Sequence, residues 1–247
     1  MADFFNGIIT FISEGINSTF ITEDRWIDFL LGLGNTLLIT LGAVVIGVVL
    51  GFLVAIVRST YDMNYSGKKK KGPFAVLMKV LNAVCNVYIT VIRGTPVLVQ
   101  LMIMYFIVFA TSHNGLMIAI LSFGINSGAY VAEIMRSGIM SIDKGQFEAS
   151  RSLGFGYKDT MLSVILPQAF KNVLPALGNE VIVLVKETSV AAYVGIAELT
   201  YTGNFVISRT YESFFPLISV AIIYLTLVLI LTFFQKKLEK RLRNSDH

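Results

Sequence analysis

The sequence predicts an all-α integral membrane protein with five transmembrane helices, its N-terminus outside and its C-terminus in the cytoplasm. Three observations carry that expectation. Of 247 residues, 55% are hydrophobic and only 15% charged, with a mean hydropathy of +0.71; a soluble domain has a charged share nearer a quarter. Charge-free runs recur at lengths that suit a hydrocarbon core of roughly 30 Å. Lys and Arg gather in alternate connections, and basic residues are retained on the cytoplasmic side. The net charge of +4 is small beside that distribution and gives no support to a nucleic-acid partner.

Residues 1–28 form an extracytoplasmic N-terminal segment. Phe5, Ile8, Ile9, Ile12 and Ile16 recur at helical spacing, which predicts an amphipathic helix on the outer surface; the alternative is a disordered tail. No basic stretch precedes this apolar run, and Gly7 and Glu14 interrupt it, so it does not read as a secretory signal. The membrane domain covers 29–236. Its first span lies within Phe29 to Val57, bounded by Asp28 and Arg58, and a basic cytoplasmic loop occupies 58–79, with Lys68 to Lys71 at its centre. A second span runs from Gly94 to Ala110 and a third from Leu116 to about Ile139, joined by the polar turn Thr111–Gly115. A weaker fourth, Asn172 to Val185, is interrupted by Pro175, Gly178 and Glu180 and becomes long enough only if its flanks take part. Ser213 to Gln235 gives the fifth, and 237–247 is a basic cytoplasmic tail.

The stretch QFEASRSLGFGYKDTMLSVILP, residues 146–167, then faces the cytoplasm. Phe147, Leu153 and Phe155 are apolar, Glu148, Arg151 and Lys158 polar, and Gly154 and Gly156 end the run, which describes a short amphipathic helix at about 146–156. Pro167 falls where a helix's first turn tolerates it, because that N–H has no helical partner. Exposed aromatics beside mixed charges suit a docking surface or an anchor at the lipid interface.

EASRSLG, nine residues and then VILP resembles the EAA signature of bacterial ABC importer permeases, with Ser150 in place of the second alanine and Val164 in place of isoleucine. The resemblance implies a type I ABC importer permease fold. It further implies a coupling helix that inserts into a cytoplasmic ATPase, with Glu148, Ala149 and Gly154 in that role and Ser150 and Leu153 in the same segment. VIRGTPVLVQL (91–101), GAYVAEIMRSGI (128–139), GNEVIVLVKETSVAAYVGIAEL (178–199) and GNTLLITL (34–41) resemble the polar amino acid subfamily, so the likeness covers about 34–235. The long lysine-rich first loop departs from that subfamily's shorter one.

A substrate path needs polar groups inside the membrane, where ionisable residues are costly. Glu180, beside Asn179 and near Gly178 and Pro175, could meet a ligand ammonium or be satisfied by Lys186 or a neighbouring helix. Ser122, Asn126 and Tyr130 lie at i, i+4 and i+8, a stripe suited to a polar solute or to interhelical hydrogen bonds. Glu133 and Arg136 read as a local ion pair. Arg93, Gly94, Thr95 and Pro96 form a hinge or gate; the compatible plainer reading is a helix start with Arg93 reaching the interface. Gly47 and Gly51 make a GxxxG pair for close helix contact.

Cys85 stands alone, so no internal disulfide forms, and His113 and His247 make no ligand pair. No phosphate-binding Gly-x-x-x-x-Gly-Lys-Ser/Thr run and no His-Glu-x-x-His run occurs, so the chain is not expected to be an enzyme. The resemblance therefore implies no cofactor in this chain, with ATP and Mg bound by a partner ATPase. It implies two ATPase subunits, a second permease subunit (identical or homologous), an external solute-binding protein and a small polar amino acid as substrate, in a bacterial inner membrane among lipid. The rivals are an ion channel or pore, which has no use for a cytoplasmic docking helix, and a secondary transporter, which would show internal repeats.

Overall fold

The computed structural model describes residues 2–67 and 72–244, and every regular element among them is a helix. Lys68, Lys69, Lys70 and Lys71 of the basic connection and the last three residues of the tail, with His247, lie outside the described residues.

Helix α1 (Ala2–Ile16) exposes Phe4, Phe5, Ile8, Ile9 and Ile12, and Phe11 packs on Phe214 and Phe215 with ring centroids 6.2 and 5.1 Å away. A corner follows in which Glu23 and Asp24 both take left-handed backbone angles, φ 58° and 53°. The buried Arg25 fixes it: Nη1 donates to the Ser18 carbonyl at 2.6 Å and Nη2 to Glu23 at 3.0 Å.

Helix α2 (Arg25–Asn64) then runs for 40 residues and packs along α5 (Gly115–Met140). Lipid tails are as apolar as the side chains, so close packing rather than burial from water joins such helices. Small residues make the approach possible. A Cβ at Gly47 would lie 2.9 Å from Ser127 Oγ, and one at Gly51 would lie 2.6 Å from Val131 Cβ. The GxxxG pair is thus the seam of the molecule, flanked by Ile39, Ala43, Ala119 and Phe123, all fully buried.

The basic loop is shorter than the sequence reading gave it. Helix α2 continues through Arg58 to Asn64, and α3 (Pro73–Gly94) begins on the proline, so 58–79 narrows to 65–72. Helix α3 itself corrects that reading, which left 80–93 without an element. It is 22 residues long and contains an 18-residue stretch of mean hydropathy 1.8, apolar and long enough to cross a membrane. Its outward face, Val76, Leu77, Val80, Val84 and Val87, is exposed, while Lys79 and Arg93 cut the charge-free run to 80–92, too short for a span. The second span's expected start, Gly94, is the point where α3 stops. Thr95 and Pro96 are extended, and α4 (Val97–Ile103) resumes the path with a π-helical turn, Met104–Val108.

At the far end of α5 the chain turns into α6 (Lys144–Ser152), then α7 (Tyr157–Thr160), a π-helical turn Met161–Ile165, and α8 (Leu166–Glu187). Helix α8 has Pro167 in its first turn, as expected, and holds Pro175 in its interior. Its flanks lengthen the fourth run to 22 residues, yet it is not among the helices apolar enough to be read as spans from composition alone. A 3-10 segment, Thr188–Val194, leads to α9 (Leu199–Thr210), which packs between α2 and α10 (Phe214–Asn244) through Phe29, Leu199, Val206 and Val220. Helix α10 continues past Gln235 through residues assigned to the tail, and Leu217, Ile218, Ile222, Leu225, Leu229 and Phe233 lie exposed along it.

Candidate functional site

Two regions carry the chemistry. The first is α6. Asp143 caps its start, its carboxylate accepting from Gly145 N at 2.6 Å. Its end is a six-residue closure: Phe155 N donates to the Ser150 carbonyl at 3.3 Å and Gly154 N to the Arg151 carbonyl at 3.1 Å, with Gly154 at φ +89°. Only glycine takes that angle without strain, so the residue sets how the helix ends. Arg151 Nη1 donates to the Phe155 carbonyl at 2.7 Å and braces the closure.

Two inward groups seat α6 on the body. Phe147 stacks edge-on to Tyr157 at 5.9 Å beside Ile139, Ile165 and Ala169. Ser150, 4% exposed, shares a 3.0 Å hydrogen bond with Thr160. Ser150 was grouped with the outward docking residues, and the structure places it on the opposite face, as an anchor. Glu148, Ala149, Leu153 and Gly154 do face out, with Leu153 80% exposed. An exposed apolar side chain lies there beside a carboxylate that has no partner among the described residues.

The second region lies where α4, α5 and α8 meet. Asn126 Nδ2 donates to Gln100 Oε1 at 2.8 Å. Gln100 Nε2 in turn lies 2.8 Å from the Ile92 carbonyl and 3.1 Å from the Thr95 carbonyl, and 2.8 Å from Thr95 Oγ1. The helix break therefore leaves backbone carbonyls free, and one amide gathers them. Gln100 escaped the sequence reading; its signal was a lone amide in an apolar run four residues after the break's proline.

Glu180 is held by Ser127, whose Oγ donates to Oε1 at 2.9 Å. Among the described residues no ion pair reaches it, so of the two structural alternatives Lys186 does not satisfy it, while a neighbouring helix, α5, does supply one hydrogen bond. Ser127 is one position off the Ser122–Asn126–Tyr130 stripe. Of that stripe, Ser122 is 2% exposed with no partner for its hydroxyl, and Tyr130 stands apart with the Arg93 guanidinium 5.2 Å over its ring. Asn179 points out, exposed. The polar residues thus form two pairs rather than one face: Asn126 with Gln100, and Ser127 with Glu180. The expected Glu133–Arg136 pair is present at 2.6 Å, and it extends to Asp62 and Arg58 on α2.

A third cluster was not foreseen. Glu198, fully buried, accepts from Tyr201 N at 2.8 Å and from Tyr224 Oη at 2.7 Å, while Thr36 Oγ1 accepts from Leu199 N at 3.2 Å. It caps α9 and ties it to α2 and α10 at the end of the molecule opposite α6.

Comparison with known proteins agrees with this arrangement. Residues 73–244, from the first residue of α3 to the last of α10, match the family described as binding-protein-dependent transport system inner membrane component. The arginine transport system permease protein ArtQ of Bacillus subtilis is 37% identical over 225 residues, 89% of this chain and 95% of that one. The glutamine transport system permease protein GlnP of Escherichia coli K12 is 41% identical over 169 residues, 66% of this chain and 77% of that one. Among solved structures, an amino acid ABC transporter crystallised with histidines superposes with a TM-score of 0.77 at 39% identity, covering 90% of this chain and 98% of its own. The MetNI methionine ABC transporter, at 21% identity, shares the fold with a TM-score of 0.71 over 87% of this chain and 95% of its own. With α3 to α10 matched in order and relatives aligned along most of their length, this chain belongs to the binding-protein-dependent transport system inner membrane components and is an ABC importer permease.

Proposed function

We propose that this permease carries a polar amino acid, of the glutamine or arginine kind, inward through a path lined by Glu180, Ser127, Asn126 and Gln100. The observation that carries the reading is the Glu180 carboxylate, inside a helix of the membrane domain with a hydroxyl for its partner and no cation within 4.0 Å among the described residues. An unpaired acid there is costly unless a ligand ammonium or guanidinium completes it. Glutamine and arginine are what the relatives' names specify, and both carry an ammonium.

Five crossings serve this path: α2, α3 continued by α4, α5, α8 and α10. Arg58 and Lys79, which flank the α2–α3 connection, and the Lys and Arg of α6 and of the end of α10 mark one side of the chain as basic, which by the retention of basic residues in the cytoplasm makes that side cytoplasmic and puts α1 outside. Two ATPases then sit under the α6 helices of this chain and a second permease subunit, identical or homologous. An external solute-binding protein delivers at the α9 end. ATP and Mg belong to the ATPases, and this chain transmits their motion: Glu148, Ala149, Leu153 and Gly154 present to the ATPase, while Phe147 and Ser150 pass displacement to α5 and α8.

The test is a substrate panel on the complex reconstituted with its ATPases and binding protein. Hydrolysis rises with glutamine or arginine and not with acidic amino acids. Stimulation by sugars or inorganic ions with no response to any amino acid removes the reading.

A further inference from the structure

A cavity of about 390 Å³ opens beside α5 and α8 near the α6 end, apart from the Glu180 pair. Its polar lining is Arg93, Tyr130, Glu133, Ser137, Ser141 and Asn172. The charges around it do not cancel. Glu133 Oε1 accepts from Arg136 at 2.6 Å, Glu133 Oε2 lies 3.8 Å from Arg58, and Asp62 accepts from Arg136 at 3.2 Å, so two acids are matched by two arginines. Arg93 is left over. It makes no ion pair within 4.0 Å among the described residues and rests on the face of Tyr130.

A guanidinium placed over an aromatic ring keeps its fork of N–H donors available, and that fork matches a carboxylate. Asn172 spends its amide nitrogen on Ser141 Oγ at 3.2 Å, which leaves its carbonyl oxygen for an ammonium. Ile134, Val173 and Ala176 close the wall without a further charge. One surplus cation, one free amide oxygen and an apolar wall fit a zwitterion.

We propose that this cavity is an exit-side site that takes the α-carboxylate of an amino acid on Arg93. The proposal rests on the reading of the chain as an amino acid permease, and it adds a second station on the cytoplasmic side. Arg93 immediately precedes Gly94, Thr95 and Pro96, where α3 breaks. An occupant that fastens Arg93 between α5 and α8 therefore also fastens the break. Amino acid accumulated in the cytoplasm then slows further uptake.

The test reads occupancy rather than transport. Ser137→Cys, exposed on the cavity lining, is made in a Cys85→Ser background, and the complex with its ATPases is studied in inside-out vesicles. Millimolar L-arginine or L-glutamine slows maleimide labelling of position 137 by about fivefold, by mass action at a few times Kd. Agmatine, arginine without its carboxylate, gives no protection. Arg93→Gln abolishes protection and Asn172→Leu weakens it, while both variants label at the parental rate without ligand, which shows that the cavity is still formed. Equal protection by agmatine, or protection that survives Arg93→Gln, overturns the proposal. So does slow labelling that ignores amino acid and is relieved when anionic lipid is left out of reconstituted vesicles; that outcome assigns Arg93 to a lipid phosphate. Uptake by right-side-out vesicles from the same cells separately reports whether the transport reading holds.

Discussion

Glu180 and Ser127 make one short contact that decides the reading of α8. If the acid serves a ligand, Glu180→Gln keeps shape and the Ser127 hydrogen bond yet removes the charge. Transport then falls by the equivalent of about 1–3 kcal/mol in apparent affinity, with permease abundance unchanged. The measurement is initial uptake against substrate concentration; unchanged affinity and unchanged preference would leave the acid a structural role. The sequence singled out Glu180 and allowed a partner on a neighbouring helix, but it did not say that Ser127 is that partner. A spacing of four advances 400° along a helix, so the stripe from Ser122 to Tyr130 drifts round α5. Which residue meets α8 depends on how the two helices cross, and spacing along one chain does not contain that angle. Gly154 was legible for the opposite reason: its left-handed angle is a local property of a helix end, and a glycine followed by a break announces it.

At the scale of the element, α3 is the lesson. A search for charge-free runs fails on a helix that carries Lys79 in its second turn and Arg93 at its end, although the apolar face between them is continuous. Its junction with α4 was readable from Gly94 and Pro96, whereas the amide that stabilises it was not. Gln100→Leu strips two carbonyls of their donor and Asn126 of its acceptor, a loss of about 1–3 kcal/mol. Because Asn126→Ala breaks the same chain of bonds, the double variant costs less than the sum, with a coupling of roughly 0.5–3 kcal/mol. Thermal inactivation of the four proteins in detergent reads that cycle, and strict additivity would show that the two amides act separately. The α2–α5 seam gives a harsher test. Gly51→Leu drives atoms against Val131, where even a Cβ would lie at 2.6 Å, and overpacking of this kind costs about 1–3 kcal/mol. The same change at Gly34, where nothing lies within 4 Å, leaves the inactivation temperature unaltered.

Across the whole molecule, the polar groups sort by end. The Arg58, Glu133, Arg136 and Asp62 cluster lies toward the α6 end, and Glu198, α9 and the turn at His113 share the other. Cysteines at Ser112 and Lys240, both exposed, in a background without Cys85, check the orientation: the first is labelled in intact cells and the second only after permeabilisation. Reversed labelling would invert the topology and detach α6 from the ATPases. The all-helical fold and the permease family could be read from hydropathy and ordered motifs. The ties between distant elements could not, since Thr36, Glu198 and Tyr224 are far apart along the chain and meet only in the fold.

The central claim is that ATP hydrolysed by a partner chain drives an amino acid through this one by way of α6. Glu148 sits in the second turn of α6, past the Asp143 cap, so its removal leaves the helix start intact; Gly154→Arg instead forces a strained end. The deciding measurement is uptake per ATP hydrolysed in proteoliposomes holding the full complex, for the parent, Glu148→Ala and Gly154→Arg, with ATPase recovery scored beside it. The account predicts normal permease abundance in all three, and in both variants either poor ATPase recovery or hydrolysis with little uptake. Normal recovery and normal uptake per ATP in both variants would contradict it.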